Sequence, residues 1–316
     1  MRALVFDGSL EFRSDYPDPV LVPGESIVRV AVAGICGTDL EIARGYMKYR
    51  GVPGHEFAGT VTETANSNLR GRRVVGEINA GCGRCASCAA GLERHCANRT
   101  VLGILGRDGA FAEMLRLPDT NLIPIPDSMP DKVAVFTEPV AAACEILEQV
   151  HLDRNKTILV MGDGRLGALV SLVLKGEGYV PIVAGHHREK LARLAKLGLA
   201  TTDERSLTEK FDIVIDCSGS GLGIPRAMEL VKPRGTIILK STAAAGADIN
   251  LAPVVINEIT VVGSRCGRFQ TALGALEAGK IDPRPLIDAT FALRDGLAAF
   301  EAARNPLNFK ILLRAS

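Results

Sequence analysis

A glycine-rich turn between an apolar strand and a helix places the tightest constraint on how this chain can fold. Residues 160–167 read Val-Met-Gly-Asp-Gly-Arg-Leu-Gly, which fits the pattern G-x-G-x-x-G. Because it follows a buried-type strand and opens a helix, the pattern indicates a dinucleotide-binding βαβ unit rather than an ordinary turn. Gly162 allows the tight turn, Gly164 lets the backbone approach a pyrophosphate, and Gly167 permits close helix–strand packing. We expect cofactor contacts from five residues of this turn: Gly162, Gly164, Arg165, Leu166 and Gly167.

Beyond about Glu138, apolar strands alternate with amphipathic helices. The predicted strands and helices cover 157–161, 165–175, 181–184, 188–196, 212–216, 236–239 and 258–262. This alternation predicts an α/β fold with a doubly wound parallel sheet and helices on both faces. Residues 1–137 instead contain short β-like segments separated by Gly and Pro clusters, which predicts a compact β domain. A length of 316 residues suits two domains, and the mixed segment 269–316 is a candidate for rejoining the first.

The end of the second strand in this alternation indicates which nucleotide is bound. NAD enzymes usually carry an acidic residue there, about 20 positions after the glycines, to hold the ribose 2′-hydroxyl. This chain has Gly185-His186-His187-Arg188 instead. With no carboxylate in this segment, Arg188 and the histidines can pair with a 2′-phosphate. We therefore expect Gly185, His186, His187 and Arg188 to contact the cofactor and to favour NADP. NAD is the alternative nucleotide, and a solvated loop without a ligand is the alternative role of these residues.

Four of the eight cysteines in the chain lie in one short segment. Cys82, Cys85, Cys88 and Cys96 follow the spacing C-x2-C-x2-C-x7-C. Four thiolates on one loop can close tetrahedrally around Zn²⁺ and leave no open position, as a structural zinc site requires. An iron–sulfur cluster is the alternative, although its fourth cysteine normally follows after three residues and precedes proline. Disulfides are disfavoured in the cytoplasm, where we expect this chain because it shows no signal peptide and no bilayer-spanning run.

A second set of candidate metal ligands is scattered along the first half of the chain. Cys36, His55 and Glu138 are each weak signals alone, since a single cysteine or histidine is more often structural. Together they supply the three protein ligands of a catalytic zinc, with a fourth position left for water or substrate. Asp39 can accept the second ring N–H of His55 and fix its tautomer. Thr38, two residues beyond the thiolate, can pass the proton of a substrate hydroxyl outward.

These motifs together resemble the medium-chain, zinc-containing alcohol dehydrogenase family, in its polyol, threonine and glucose dehydrogenase branch. The resemblance rests on Gly34-Ile-Cys-Gly-Thr-Asp, Gly54-His-Glu, the four-cysteine loop, Glu138-Pro and the glycine-rich turn, in that order. It covers nearly the whole chain. It implies a GroES-like, β-rich catalytic domain over 1–138, completed by 270–316, and a Rossmann domain over 139–269. Family members are typically homodimers or homotetramers, so we expect one of these assemblies.

The resemblance also assigns roles to the candidate ligands. It implies a catalytic zinc on Cys36, His55 and Glu138, with Glu56 as an adjacent, exchanging ligand. Glu138 stands where other alcohol dehydrogenases carry a cysteine, which matches the polyol-type branch. Glu41 stands where many relatives carry a proton-relaying histidine, and its role stays open between relay and substrate contact. The structural zinc, which brings the expected total to two per chain, takes Cys82, Cys85, Cys88 and Cys96.

Composition narrows the classes of partner. A formal net charge of +1 and the lack of a Lys/Arg-rich run argue against nucleic-acid and membrane-surface binding. The expected partner is a small alcohol or carbonyl substrate: a secondary alcohol, a polyol, a sugar or an amino alcohol. The alternatives are a family member that lacks activity or senses nucleotide and keeps only the structural zinc, and a zinc-independent enone or quinone reductase. The His-Glu pair and the cysteine loop argue against the reductase.

Overall fold

The computed structural model describes residues 1–242 and 249–315. The chain divides into two units. The first comprises Met1–Glu138, Ala272–Glu277 and Pro283–Ser316, and the second comprises Pro139–Thr271 and Ala278–Asp282. Residues 243–248, which fall in the domain expected over 139–269, and residue 316, which ends the segment expected to complete the first, lie outside the described residues.

The described residues form eighteen strands and ten α-helices, joined by short turns. The strands are β1 Ala3–Phe6, β2 Leu10–Arg13, β3 Glu25–Gly34, β4 Glu56–Glu63, β5 Arg73–Gly76, β6 Asn79–Ala80, β7 Thr100–Leu102, β8 Gly106–Arg107, β9 Met114–Pro118, β10 Leu122–Pro124, β11 Ile158–Met161, β12 Pro181–Gly185, β13 Ala200–Asp203, β14 Phe211–Asp216, β15 Val231–Leu239, β16 Thr260–Gly263, β17 Ile287–Ala292 and β18 Lys310–Arg314. The helices are α1 Gly37–Ile42, α2 Ala86–Ala89, α3 Asp131–Ala134, α4 Thr137–Gln149, α5 Arg165–Gly176, α6 Arg188–Lys196, α7 Gly223–Leu230, α8 Ala252–Ile256, α9 Phe269–Glu277 and α10 Gly296–Arg304. No helix of the described residues is long and apolar enough to cross a bilayer.

The first unit is built on a seven-stranded sheet with β3 at its centre. Its strands lie in the order β10-β5-β4-β3-β18-β17, and β9 also pairs with β3. The strand β18, near the end of the chain, runs antiparallel to β3 with Leu313 opposite Ala33. The rings of Phe111 and Phe300 meet edge to face at 5.7 Å in the same unit, a favourable geometry for two aromatic rings. The sheet therefore brings the end of β3 together with the starts of β4 and β18, although β18 is far from the other two in sequence.

The second unit contains the parallel sheet that the sequence predicts. Six strands lie in the order β13-β12-β11-β14-β15-β16, and every neighbouring pair is parallel. Leu159, Val214 and Ile237 on its central strands have no exposed surface, as strands covered on both faces require. The strand order reverses at β11, so the crevice at its carboxyl end, beside β14, is the position at which such sheets bind ligands. The glycine-rich turn lies at this end of β11.

Three local features differ from what the sequence predicts. Glu138-Pro139 before an apolar run predicts a helix with Pro139 as its first residue, whereas α4 begins at Thr137 and has Pro139 as its third residue. The last parallel strand begins at Thr260 rather than Glu258, because Glu258 has a φ of 51°, which lies outside the β region. The strand β13 was not predicted, because its sequence, Ala-Thr-Thr-Asp, lacks the apolar run of a buried strand.

Candidate active site and metal centres

Cys36 lies where β3 ends and α1 begins. Its backbone is extended (φ −97°, ψ 167°), and it is the N-cap residue of α1. The carboxylate of Asp39 reaches back and its Oδ2 accepts the backbone N–H of Cys36 at 2.7 Å, as in the reciprocal half of a capping box. Thr38, the expected proton acceptor, lies between them and is half-buried. The backbone that carries the thiol is therefore held in place by a side chain of its own helix.

His55 and Glu56 lie at the start of β4 and are almost fully buried, at 3% and 1% exposure. The turn before them needs glycine, because Gly54 has a φ of 98° and a side chain there would collide with the ring of Phe111. Asp39, which has no exposed surface, accepts the backbone N–H of Gly54 at Oδ1, at 3.2 Å. The same oxygen lies 3.2 Å from His55 Nδ1. Asp39 thus connects the Cys36 loop with the His55 loop.

The structure brings Cys36, His55 and Glu56 together as one group of candidate ligands. The Cys36 thiol, a ring nitrogen of His55 and a carboxylate oxygen of Glu56 all lie within 4.8 Å of one another. Glu56 Oε1 is buried and has no hydrogen-bond partner among the described residues, an arrangement that is costly unless a cation or donor faces it. Burial lowers the pKa of His55, but the charges of Asp39 and Cys36 outweigh it and raise that pKa well above its usual value. Thiolate, imidazole and carboxylate are the donor set of a catalytic zinc, so the group fits this ion.

Glu138, the expected third ligand, lies outside this three-residue group. It is the second residue of α4 and is half-buried. Desolvation raises the pKa of its carboxyl group to about 7, the negative charges of Glu56 and Glu77 add to the rise, and His55 and Lys310 oppose it. The charges of His55 and Glu56 both act on the pKa of Glu138, so its carboxyl group lies within electrostatic range of them. Of the two carboxylates, Glu56 is the one grouped with Cys36 and His55.

Lys310 is a residue of this site that sequence reasoning missed. Its Nζ donates to Glu56 Oε2 at 2.5 Å, and Lys310 is only 2% exposed. It is the first residue of β18, so the antiparallel pairing of β18 with β3 delivers it to the site. The available signal was a lysine opening an otherwise buried apolar strand, Lys-Ile-Leu-Leu. Such a cation is almost never buried without a partner.

The four clustered cysteines form the second candidate metal centre, in the loop between β6 and β7. The ligand atoms of Cys82, Cys85, Cys88 and Cys96 all lie within 4.8 Å of one another, and none of the four forms a disulfide. Cys85 Sγ lies 3.6 Å from the sulfur atoms of both Cys88 and Cys96. The pKa of Cys82 is lowered to about 6, and the largest cause is a hydrogen bond with the backbone N–H of Arg84. Four converging sulfur atoms supply all four ligands of a closed, tetrahedral zinc site.

The glycine-rich turn has the geometry that a close approach of the backbone requires. Gly162 has a φ of 110°, and a side chain there would press on the backbone of Cys217. A side chain at Gly167 would collide with the carbonyl of Gly162, whereas the space at Gly164 is open to 4 Å. Gly164 is the N-cap of α5, and Arg165 and Leu166, its first two residues, are half-buried. The space in front of Gly164 suits a phosphate at a helix N-terminus.

A carboxylate does lie at the end of β12, the second strand of the parallel sheet along the chain, contrary to the expectation from residues 185–188 alone. Asp163, inside the glycine-rich turn, is 6% exposed, and its Oδ2 accepts the backbone N–H groups of His186 and His187 at 2.9 and 2.7 Å. Its Oδ1 lies 3.0 Å from His187 Nδ1. A side chain at Gly185 would collide with Asp163. Residues 185–188 alone do not reveal this carboxylate, because Asp163 belongs to the turn after the neighbouring strand β11.

Comparison with known protein families matches both halves of the chain. Residues 22–127 match the alcohol dehydrogenase GroES-like domain, and residues 166–278 match the zinc-binding dehydrogenase domain. L-threonine 3-dehydrogenase of Rhizobium etli is 30% identical over 327 aligned positions, which cover 95% of this chain and 93% of the relative. The chain belongs to the medium-chain, zinc-containing alcohol dehydrogenase family. This confirms the resemblance drawn from the motifs, the GroES-like and Rossmann fold, and the prediction of a zinc-dependent, NAD(P)-linked dehydrogenase.

Other relatives of this dehydrogenase cover a similar share of the chain. The starvation-sensing protein RspB of Escherichia coli is 30% identical over 306 positions, 90% of each protein. A structure of an E. coli RspB alcohol dehydrogenase complexed with NADH superposes with a TM-score of 0.89 at 28% identity, covering 99% of each chain. A putative zinc-binding dehydrogenase of Sinorhizobium meliloti bound to NADP has a TM-score of 0.88 at 24% identity and covers 99% of this chain and 98% of its own. At that identity the second likeness concerns the fold alone.

Proposed function

We propose that this dehydrogenase interconverts an alcohol and a carbonyl compound at a catalytic zinc held by Cys36, His55 and Glu138, with a second, structural zinc on the four-cysteine loop. The observation that carries the proposal is the group of half-buried Cys36 with buried His55 and Glu56, in which one carboxylate oxygen has no hydrogen-bond partner within the part of the chain that the structure describes. The cytoplasm, where thiols stay reduced, suits an enzyme that needs five cysteines as ligands. A chain that holds only one zinc would favour an inactive or nucleotide-sensing relative instead.

Each residue of the site has a defined task in this proposal. When bound, zinc supplies Lewis acidity toward a substrate hydroxyl, and the nicotinamide nucleotide supplies the hydride acceptor. Thr38 accepts the hydroxyl proton and passes it toward solvent. Asp39 fixes His55 through its Nδ1 contact at 3.2 Å and leaves Nε2 as the ligating nitrogen. Glu41, the other candidate for a relay, is paired with Arg44 at 2.7 Å on the half-exposed side of α1.

The names of the relatives bear on the substrate class of this dehydrogenase. Several relatives are named L-threonine 3-dehydrogenase, and a solved relative at 23% identity is a galactitol-1-phosphate dehydrogenase. We propose a secondary alcohol, polyol, sugar or amino alcohol as the substrate. A panel of these compounds, followed by the absorbance of the reduced nucleotide, tests the proposal. Oxidation of none of them with either nucleotide would count against it.

We propose NADP as the favoured nucleotide, with NAD as the alternative. Arg188 is exposed at the start of α6 and, within the described ranges, has no ion-pair partner. Both oxygens of Asp163 are already engaged by His186 and His187, which leaves this carboxylate poorly placed to hold a ribose 2′-hydroxyl. A guanidinium is well suited to a phosphate. These two features support a 2′-phosphate site beside Arg188.

Replacing Arg188 with alanine is expected to lower kcat/KM for NADP⁺ by about 10- to 100-fold, the effect of losing one charge-assisted hydrogen bond. The value for NAD⁺ should change by less than about twofold, because only the 2′-phosphate contact is lost. Lys196→Ala, at the other end of the same helix, is the matched control and should alter neither value. A wild-type protein that clearly prefers NAD⁺ would refute the NADP proposal.

We also propose that two copies associate through the exposed edge of the second unit. In the described part of the chain, β16 pairs with β15 alone, so one side of its backbone is free to hydrogen-bond. Val261 on this strand is 43% exposed, and Val255 and Ile256 on the preceding helix are 77% and 76% exposed. A free edge flanked by apolar side chains is a liability in a monomer. A second copy, related by a two-fold axis, covers both features at once.

A lysine at Val261 is expected to convert the dimer into monomers, because two like charges would face each other across the paired edges. The mass in solution, measured by light scattering after size exclusion, should fall to that of one chain. Leu297→Lys, at a similarly exposed leucine of the first unit (48%), is the control and should leave the mass unchanged. A wild-type mass of one chain at micromolar concentration would refute this mode of assembly.

A further inference from the structure

The buried ion pair of Lys310 and Glu56 is placed directly against the proposed catalytic zinc site. Lys310 Nζ and Glu56 Oε2 are 2.5 Å apart, and both side chains are nearly free of solvent, at 3% and 1% exposure. A carboxylate oxygen of the same Glu56 belongs to the group with Cys36 and His55. Glu56 is therefore shared between a fixed internal cation and the position that a metal would occupy.

Several contacts besides Glu56 hold Lys310 in place. Asp288 on β17 accepts the backbone N–H groups of Phe309 and Lys310 at Oδ2, at 2.5 and 3.1 Å. The ammonium group also contacts the carbonyl of Ile35 at 3.4 Å and lies 5.6 Å from the ring centroid of Phe136, within the range of a cation–π interaction. Within these contacts the Lys310 side chain is only 3% exposed.

Glu56 is confined from its other side by the neighbouring strand. Gly34 on β3 lies opposite Glu56, and a side chain at Gly34 would collide with the Glu56 carboxylate. The fold thus keeps a space for the ion pair next to the Cys36 loop. Among the described residues Glu56 Oε1 has no hydrogen-bond partner, so it is the oxygen that can approach a metal, while Oε2 is tethered to Lys310. Glu56 can move toward a metal only as far as this tether allows, because breaking it would leave a buried ammonium without compensation, which is strongly unfavourable.

We propose that Lys310 is a positioning residue that holds Glu56 through Oε2 and so prevents it from becoming a permanent fourth ligand of the catalytic zinc. The inference rests on the proposed function, since it requires a zinc at Cys36 and His55. A zinc site with four protein ligands is closed and structural, whereas a catalytic site keeps one position open. Lys310 therefore maintains the open position at which substrate binds.

Zinc release provides the test, because it reports on ligands without requiring turnover. The wild-type holoenzyme is mixed with a colour-forming chelator, and two phases of release are expected: a faster one from the open site and a slower one from the four-cysteine site. Lys310→Met removes the charge and frees Glu56 to bind zinc, so the faster phase should slow by about 10-fold or more. Lys310→Arg, which keeps the charge, should restore the wild-type rate.

The double variant Lys310→Met/Glu56→Gln separates ligation from loosening of the fold. Without the Glu56 carboxylate the site cannot close, so its faster phase should return to within about threefold of the wild-type rate. If Lys310→Met alone does not fold, zinc release is measured on the double variant, which carries neither charge. Slow release from the double variant could not come from ligation by the Glu56 carboxylate and would overturn the inference. Unchanged or faster release from folded Lys310→Met would also overturn it. A wild-type protein without the faster phase would instead refute the proposed catalytic zinc.

Discussion

Cys36→Ala is expected to lose turnover by on the order of 10³-fold or more while the chain still folds. The thiolate is one of the ligands that hold the catalytic zinc, and the Lewis acidity of that ion contributes several kcal/mol to the reaction. Asp39 keeps its contacts with the backbone of residue 36 and Gly54, so the local fold should survive. The measurement is the rate of nucleotide reduction on the best substrate of the panel, together with zinc content, which should fall by one ion per chain.

Cys266→Ser is the matched control for this variant. Cys266 is a half-buried cysteine that belongs to neither candidate metal group, so its replacement should leave turnover and zinc content unchanged. If Cys36→Ala retained most of its turnover, or kept the full zinc content, the assignment of Cys36 to a catalytic zinc would be wrong.

Cys85→Ser is expected to remove the other zinc and to lower the thermal stability of the protein. The Cys85 sulfur lies 3.6 Å from those of Cys88 and Cys96, so its loss opens the tetrahedral set. A structural zinc contributes directly to folding, and the loss of a few kcal/mol corresponds to a fall in Tm of roughly 5–10 °C for a chain of this size. Calorimetry with metal analysis measures both effects.

The two cysteine variants should differ in which property each of them loses. Cys85→Ser should keep a substantial fraction of its turnover at temperatures well below its Tm, because the cysteine loop offers no position for substrate. Cys36→Ala should keep its Tm to within a few degrees and lose turnover. Loss of turnover in Cys85→Ser without any change in Tm would contradict a purely structural role for that site.

The features that the sequence predicted well are those whose information is local. The glycine-rich turn, the helix it opens and the parallel strands that follow each depend on a short run of residues, and the helix α6 has the predicted bounds, Arg188–Lys196. The four cysteines likewise converge because they share one loop. In each case the residues are close in sequence, and this closeness determines their distance in the fold. The sequence pattern alone was therefore sufficient to predict these features.

The features that escaped prediction depend on contacts between distant segments. Lys310 meets Glu56 across 254 positions of sequence, and only the pairing of β18 with β3 brings them together. Asp163 occupies a variable position of the glycine-rich pattern, yet its side chain serves the loop after β12, 23 and 24 residues further on. The grouping of Glu56 rather than Glu138 with Cys36 and His55 also depends on where the strands end. None of these follows from local spacing.

A chelation experiment on the wild-type enzyme follows zinc content and turnover together while metal is removed. About two zinc ions per chain are expected at the start, one for each ligand group. Turnover should fall in proportion to the loss of the first, more labile ion and return when Zn²⁺ is added back. Full turnover after that ion has been removed, or a starting content of one zinc per chain in an active enzyme, would rule out a catalytic zinc at Cys36 and His55.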